Sequence, residues 1–257
     1  MKPVYADASL RSVPTGRRTE IRAVFALAPA LPDHQFLRFA RERVGERLAD
    51  ELASIPDRRR PGHLASRLAL NRALHLAGSE IATGVAELTY ALDGRPVLAD
   101  SAGSEAPGVC CSLAHSGRAG LAVVGPSLVG ADVEPERRFG LGFAFRIAEP
   151  DELDLVSEAG IPPDIVPAAI WTAKESVLKA TGKGLRIDPR HVRIVGRIAG
   201  GWRLYVEGRR KPGRDWDVAS YGAVGRRLAI ARSAGSGPVA LYLHLPQSRC
   251  RGAEAVG

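Results

Sequence analysis

Twice along the chain, a stretch of helical periodicity rich in leucine and alanine gives way to a block of short strands, and this order narrows the possible folds. "EIRAVFALA" reads as an opening strand. From Asp33, placed as an N-cap, apolar residues at Phe36, Phe39, Val44, Leu48 and Leu52 predict a helix that "PDRRRPG" breaks. "HLASRLALNRALHLAG" predicts a second helix closed by Gly78. Strands follow at "AELTYAL", "GVCCSLAHS", "AGLAVVG" and "SLVGADVE", with "DGRP" as a turn. After "PERRFGLG" the second half returns to helix, most clearly from Pro163 or Asp164 to about Thr181, then to strands at "HVRIV", "GWRLYVEG", "WDVASYG", "RLAIARS" and "VALYLHL". Strands that follow helices in blocks argue against an alternating, doubly wound parallel sheet. The expectation is an α+β protein of two pseudo-symmetric lobes. Each lobe is a small, mainly antiparallel sheet packed with a long helix, and the active site lies between them. Residues 1–19 are expected to be a flexible arm, 20–129 the N-terminal lobe, 130–246 the C-terminal lobe and 247–257 a flexible tail.

A chain of 257 residues, 45% hydrophobic and 25% charged, has the composition of a soluble globule. The apolar run "AVFALAPAL" is too short to cross a bilayer and lacks a signal peptide's basic lead, so no membrane association and a cytoplasmic location are expected. Cys110, Cys111 and Cys250 make an odd number, and adjacent Cys110 and Cys111 point to opposite faces of a strand, which fits a reducing compartment. Nothing in their spacing suggests zinc. The net charge of +8 favours an anionic partner: nucleic acid, a phosphorylated cofactor or an acidic protein. A general bias toward arginine and alanine accounts for the charge equally well. Nucleic acid is the weakest of these partners, because aromatics are 5% and no zinc-finger or RNA-recognition signature is present.

In "GADVEPE", Asp132 and Glu134 stand two apart on a strand and share a face. They are either two solvated acids near Arg137 and Arg138 or a pair of hard oxygen ligands suited to magnesium. "IWTAKESVLKATGKGL" gathers Lys174, Lys179 and Lys183 in a chain whose other cations are nearly all arginine. On a helix, Trp171, Lys174, Glu175, Leu178 and Lys179 form one continuous face. That face is either a solvated ion-pair ladder or the wall of a polar cleft. If it crosses the Asp132/Glu134 pair, three carboxylates meet a lysine, an arrangement that suits phosphoryl transfer. "SLAHSG" offers His115 and Ser116 as a phosphate-contacting pair or as nucleophile and base, although no G-x-S-x-G elbow surrounds the serine. His115 is equally a candidate core histidine. "DRRRPGHLASR" brings Arg58, Arg59, Arg60 and Arg67 to a helix entrance, and Arg95 lies in the "DGRP" turn; both are solvated surface or anion contacts. Neither a P-loop nor the Rossmann glycine fingerprint occurs.

Together these pieces resemble the 4'-phosphopantetheinyl transferase superfamily. The carriers of the resemblance are "VGADVE" at 129–134 and "WTAKESVLK" at 171–179, followed by "GKGL" at 182–185. "RRRPGHLASR", "GRP" and "AHS" stand in the order of weaker family elements, so the resemblance spans roughly residues 55–190. It is closest in kind to the two-lobed, single-chain members that serve secondary-metabolite and siderophore synthases. The resemblance implies a magnesium-dependent transferase (manganese as a substitute) that moves 4'-phosphopantetheine from coenzyme A to a serine of an apo acyl or peptidyl carrier protein and releases adenosine 3',5'-bisphosphate. It implies Asp132, Glu134 and Glu175 as metal ligands, with Glu175 and Lys179 catalytic. Coenzyme A contacts are implied at Arg59, Arg67, Arg95, Ala114, His115, Asp132 and Lys179. Lys174 is left as structural or facing the carrier. A monomer is expected, with no nucleic acid bound. The sequence departs from the family at Ala114, where Ser or Thr is usual, and at Ala131, where Val or Ile is usual. Leu141, Phe143, Phe145 and Ile147 read either as core or as a docking face for a carrier helix. A basic nucleic-acid-binding protein and another magnesium-dependent phosphotransferase or nuclease are the alternative readings.

Overall fold

The computed structural model describes residues 21–78, 87–99, 103–106, 108–207 and 213–245. The expected arm, the expected tail and Cys250 lie outside these residues. Two sheets carry the fold. The first has the order β11-β1-β5-β4, from β1 (Ile21–Leu27), β4 (Cys110–Ser116), β5 (Ala119–Gly125) and β11 (Val239–His244). The second has the order β6-β10-β9-β8-β7, from β6 (Val129–Pro135), β7 (Val192–Ile198), β8 (Gly201–Val206), β9 (Arg214–Ala223) and β10 (Arg226–Ser233). Neighbours are antiparallel except β1 and β11, which run parallel. A hairpin of β2 (Glu87–Tyr90) and β3 (Pro96–Ala99) stands apart from both. The protein is therefore α+β and two-lobed, as the block order of its elements predicts.

Side-chain alternation explains how the sheets meet. Ile21, Phe25, Leu121 and Val123 from the first sheet join Val129, Val133, Leu228 and Ile230 from the second in one apolar cluster. The intervening residues of the same strands point the other way. Val24, Ala26, Ala122 and Val124 receive α3 (Arg60–Leu76), while Ala229 and Ala231 receive α6 (Val166–Ala180). Each long helix lies against its sheet at a glycine. A Cβ on Gly120 would collide with the backbone of Ala65 and Ser66 in α3, and one on Gly130 would collide with the Ser176 carbonyl in α6. Backbone thus rests on backbone at matching places in the two lobes.

The elements differ from the sequence reading at three places. The first predicted helix is two: Gly45, at φ 115°, separates α1 (Asp33–Val44) from α2 (Glu46–Ala53). Asp33 is the first helical residue after Pro32, not the cap. Residues 239–244, grouped by sequence position with the C-terminal lobe, return to the first sheet, where Val239, Leu241 and Leu243 pack onto the cluster shared by the two sheets. The connection after β6 folds into α4 (Leu141–Ile147) and α5 (Pro150–Ser157). Its hydrophobic residues divide between the two readings, since Ile147 is buried and Phe143 packs on the core while Leu141 and Phe145 are 50% and 64% exposed. Among the described residues, no helix is long and apolar enough to cross a membrane.

Because nothing flexible lies opposite Gly130, Gly130→Ala is expected to lower unfolding free energy by about 3 kcal/mol in urea denaturation. Gly142→Ala, an exposed position with open space around it, is expected to change stability little.

Candidate active site

A cleft of about 260 Å³ opens between the lobes. Its walls include His63 and Arg67 from α3, Tyr90 and Arg95 from the β2–β3 hairpin, His115 from β4 and Lys179 from α6. Arg67 is 8% exposed and only half satisfied: Nη2 donates to Glu51 Oε1 at 2.6 Å and lies 3.4 Å from the Tyr90 hydroxyl, whereas Nη1 is buried without a partner. A buried guanidinium nitrogen without an acceptor is costly. Arg95 has only a loose contact, Nη1 to Glu105 Oε1 at 3.9 Å.

The rings of His63 and His115 meet with their centroids 4.3 Å apart and their planes tilted by 43°. Gly62 permits this, because a Cβ there would meet the Gly117 carbonyl oxygen at 2.7 Å and His115 Nδ1 at 3.0 Å. Burial pushes His115 down to about 4, helped by His63, Lys179, Arg59 and Arg67. Burial likewise lowers His63. His115 is therefore neutral near pH 7 and meets an anion as a hydrogen-bond donor, not as a charge.

The acids lie beside the cleft. Asp132 and Glu134 project from the face of β6 that meets α6. Lys179 Nζ is 2.7 Å from Asp132 Oδ1 and 3.9 Å from Glu175 Oε1. Glu134 Oε2 accepts from Ser116 Oγ at 3.0 Å and from Arg138 Nη1 at 2.5 Å. Asp132 Oδ2 and Glu175 Oε2 are buried with no partner. Burial raises both carboxyls, Lys179 pulls both back down, and neighbouring acids add to the rise. For Lys179, burial alone would lower the ammonium, but Asp132, Glu175 and Glu134 hold it above its ordinary value. Among the described residues, no three His, Cys, Asp or Glu side chains already stand as a metal cage. Lys179 and Arg138 occupy part of the space between the acids.

The structure brings together Asp132, Glu134, Glu175, Lys179, His115, Arg67 and Arg95, and places the other candidate residues elsewhere. Arg59 is exposed at the start of α3 and does not line the cleft, although its charge bears on both histidines. Ala114 points into the core shared by the sheets, away from the cleft. The face running from Trp171 to Lys179 is split: Lys174 is fully buried, pairing with Glu152 Oε1 at 2.8 Å and donating to the Ile147 carbonyl at 2.6 Å. Arg60 likewise leaves the cleft, donating to the carbonyls of Leu52, Ala53 and Ile55 at the end of α2. Ser116 serves Glu134, so it is no nucleophile paired with His115. The sequence reading passed over His63, yet it stands four residues before Arg67 and so shares its helix face. Nothing local marks Glu152 as the partner of Lys174, whereas Arg138, which the sequence reading set near the acids, pairs with Glu134.

Residues 128–231 match the family model of the 4'-phosphopantetheinyl transferase superfamily. The matched stretch runs from the residue before β6 into β10 and contains Asp132, Glu134, Glu175 and Lys179. The chemistry of the superfamily is phosphopantetheine transfer. No curated protein matches the chain.

Two predictions follow from buried charge. Lys174→Met takes from the fully buried Glu152 the nearer of its two cations, leaving Arg193 at 3.4 Å, and is expected to cost roughly 3 kcal/mol, with Lys174→Met/Glu152→Gln regaining most of it in urea denaturation. Between about pH 4 and 6.5, His115 is neutral when folded and protonated when unfolded. The unfolded state then holds the extra proton, so stability present above pH 6.5 is lost as pH falls toward 4. His115→Gln should therefore lose less stability than the wild type between pH 7 and pH 5, as read from urea midpoints.

Proposed function

We propose that the protein transfers 4'-phosphopantetheine from coenzyme A to a serine of an apo carrier protein, releasing adenosine 3',5'-bisphosphate. One observation carries this reading: the Asp132–Lys179–Glu175 cluster, with two buried unpartnered carboxylate oxygens, adjoins a cleft lined by Arg67, whose Nη1 is likewise buried and unpartnered. Bare acid oxygens and a bare cation side by side suit a ligand that brings phosphate and a divalent cation together.

The donor set fits magnesium. Asp132 Oδ2 and Glu175 Oε2 are hard oxygens, desolvated and without protons to accept, and a cation would relieve the burial that raises both groups. Asp132, Glu134 and Glu175 would hold it, and it would neutralise pyrophosphate charge when bound. The chain's own groups do the rest. Arg67, Arg95 and the neutral His63 and His115 bind and orient coenzyme A phosphates. Lys179 meets the phosphate under attack and stabilises the charge that develops there. Glu175, kept a stronger base by burial, accepts the serine proton directly or through water. The serine oxygen forms its bond to the phosphorus of the phosphopantetheine arm as the bond to the bridging oxygen breaks, and the electron pair leaves with adenosine 3',5'-bisphosphate.

The carrier is a separate protein and the enzyme acts as a cytoplasmic monomer in this reading, with residues 130–233 supplying the acids and Lys179 and residues 20–129 supplying most of the phosphate contacts. The +8 charge would draw both an anionic coenzyme and an acidic carrier.

Intact mass measurement of apo carriers from fatty acid, polyketide, nonribosomal peptide and siderophore systems tests the proposal. With coenzyme A and magnesium, at least one carrier should gain a single phosphopantetheine, and a chelator should prevent it. Glu175→Gln should abolish the gain while the circular dichroism spectrum stays that of the wild type. Lys179→Ala should cut turnover by about a hundredfold or more. Full activity in purified Glu175→Gln would contradict the assignment of the base.

A further inference from the structure

The acid cluster already contains cations of its own. Lys179 Nζ bonds Asp132 and stands near Glu175, while Arg138 bonds Glu134. A free divalent cation therefore meets carboxylates that are largely neutralised, and to gain Asp132 Oδ1 it must displace an ammonium at 2.7 Å. Lys179 has somewhere else to go. It lines the same cleft as Arg67, His63 and His115, and its side chain is 28% exposed, so it is not locked in place as Lys174 is at 0%. A phosphate seated against Arg67 Nη1 offers the ammonium a second anionic partner.

We infer that Lys179 is an exchangeable counter-ion: it keeps the acid cluster weak for divalent cations until a phosphate ligand in the cleft draws it away. The inference rests on the proposed function, because it takes the acids as cation ligands and the cleft as the coenzyme A site. Cation and coenzyme then bind with positive coupling, and by linkage each strengthens the other by the same factor. The coupling needs no movement of the lobes. A single flexible side chain changes partner, which a lysine with a mobile point charge can do more readily than a planar, forked arginine.

Manganese binding, followed through the electron paramagnetic resonance signal of the free ion, tests this without turnover. For wild-type protein, Mn²⁺ affinity should rise about tenfold when coenzyme A or adenosine 3',5'-bisphosphate is added. Lys179→Met should bind Mn²⁺ alone roughly fivefold to tenfold more tightly than the wild type, and the further gain from coenzyme A should shrink. Lys179→Gln is the second variant, with Mn²⁺-induced rise in melting temperature as an independent readout; the rise should be larger in both variants than in the wild type. If both variants bind Mn²⁺ alone no more tightly than the wild type, while wild-type protein still modifies a carrier, the counter-ion inference is wrong and the function stands. Failure of the wild type to bind coenzyme A would overturn both.

Discussion

The seating of α6 on β6 at Gly130 governs the rest of the molecule. A side chain there would strike the Ser176 carbonyl, so the helix lies on the strand backbone to backbone. Two residues further along the strand stands Asp132, and one turn further along the helix stands Lys179; the close approach lets them meet at 2.7 Å. Glu175 comes to the same place from the preceding turn. The first lobe repeats the device, with Gly120 against Ala65 and Ser66, and there it delivers His63 and Arg67 to the opposite wall. Two helices seated in the same way present one acidic and one basic wall to a common cleft. The sheets' shared apolar cluster holds those walls in register.

Buried charge in this protein comes in two kinds, and the difference separates support from chemistry. Lys174 and Glu152 are completely buried and well satisfied: the lysine reaches two backbone carbonyls as well as the carboxylate, and the carboxylate accepts from the backbone N–H of Ile194 and of Glu149. Such a network fixes how α5, α6 and β7 fit together and has no capacity left for a ligand. Asp132 and Arg67 are also buried and Glu175 is partly buried, but each keeps a bare atom. Carrying those bare atoms costs stability, and a ligand that brings both positive and negative charge would satisfy them. The residues adjoin one cleft, and the four acids and bases at its acidic end, Asp132, Glu134, Glu175 and Lys179, lie on just two elements.

Much of this was legible in the sequence. The short apolar runs of β5 and β6, the leucine-rich helices and the block order of elements set the class of fold, because strands buried on both faces and helices buried on one leave different patterns in the sequence. The acids were legible too, since Asp132 and Glu134 must share a face on a strand and Glu175 and Lys179 must share one on a helix. Partnership was not. Lys174 sits on the helix stripe that sequence spacing leaves as either an ion-pair ladder or a cleft wall, and only the packing of α5, distant from β7 in the chain, takes it into the core with Glu152. The break at Gly45 was hidden because apolar periodicity continues across it, and β11 was misplaced because a parallel pairing between distant strands leaves no local signature. His63 was overlooked beside its arginine neighbours, although its spacing from Arg67 carried the information.

The most direct measurement of the central claim is the identity and stoichiometry of the nucleotide released when wild-type protein, coenzyme A, magnesium and a modifiable apo carrier are combined. Chromatographic quantitation should find one adenosine 3',5'-bisphosphate for each carrier serine modified, and none without carrier. Release of inorganic phosphate, cleavage of added nucleic acid, or coenzyme A left intact beside every carrier would contradict the account.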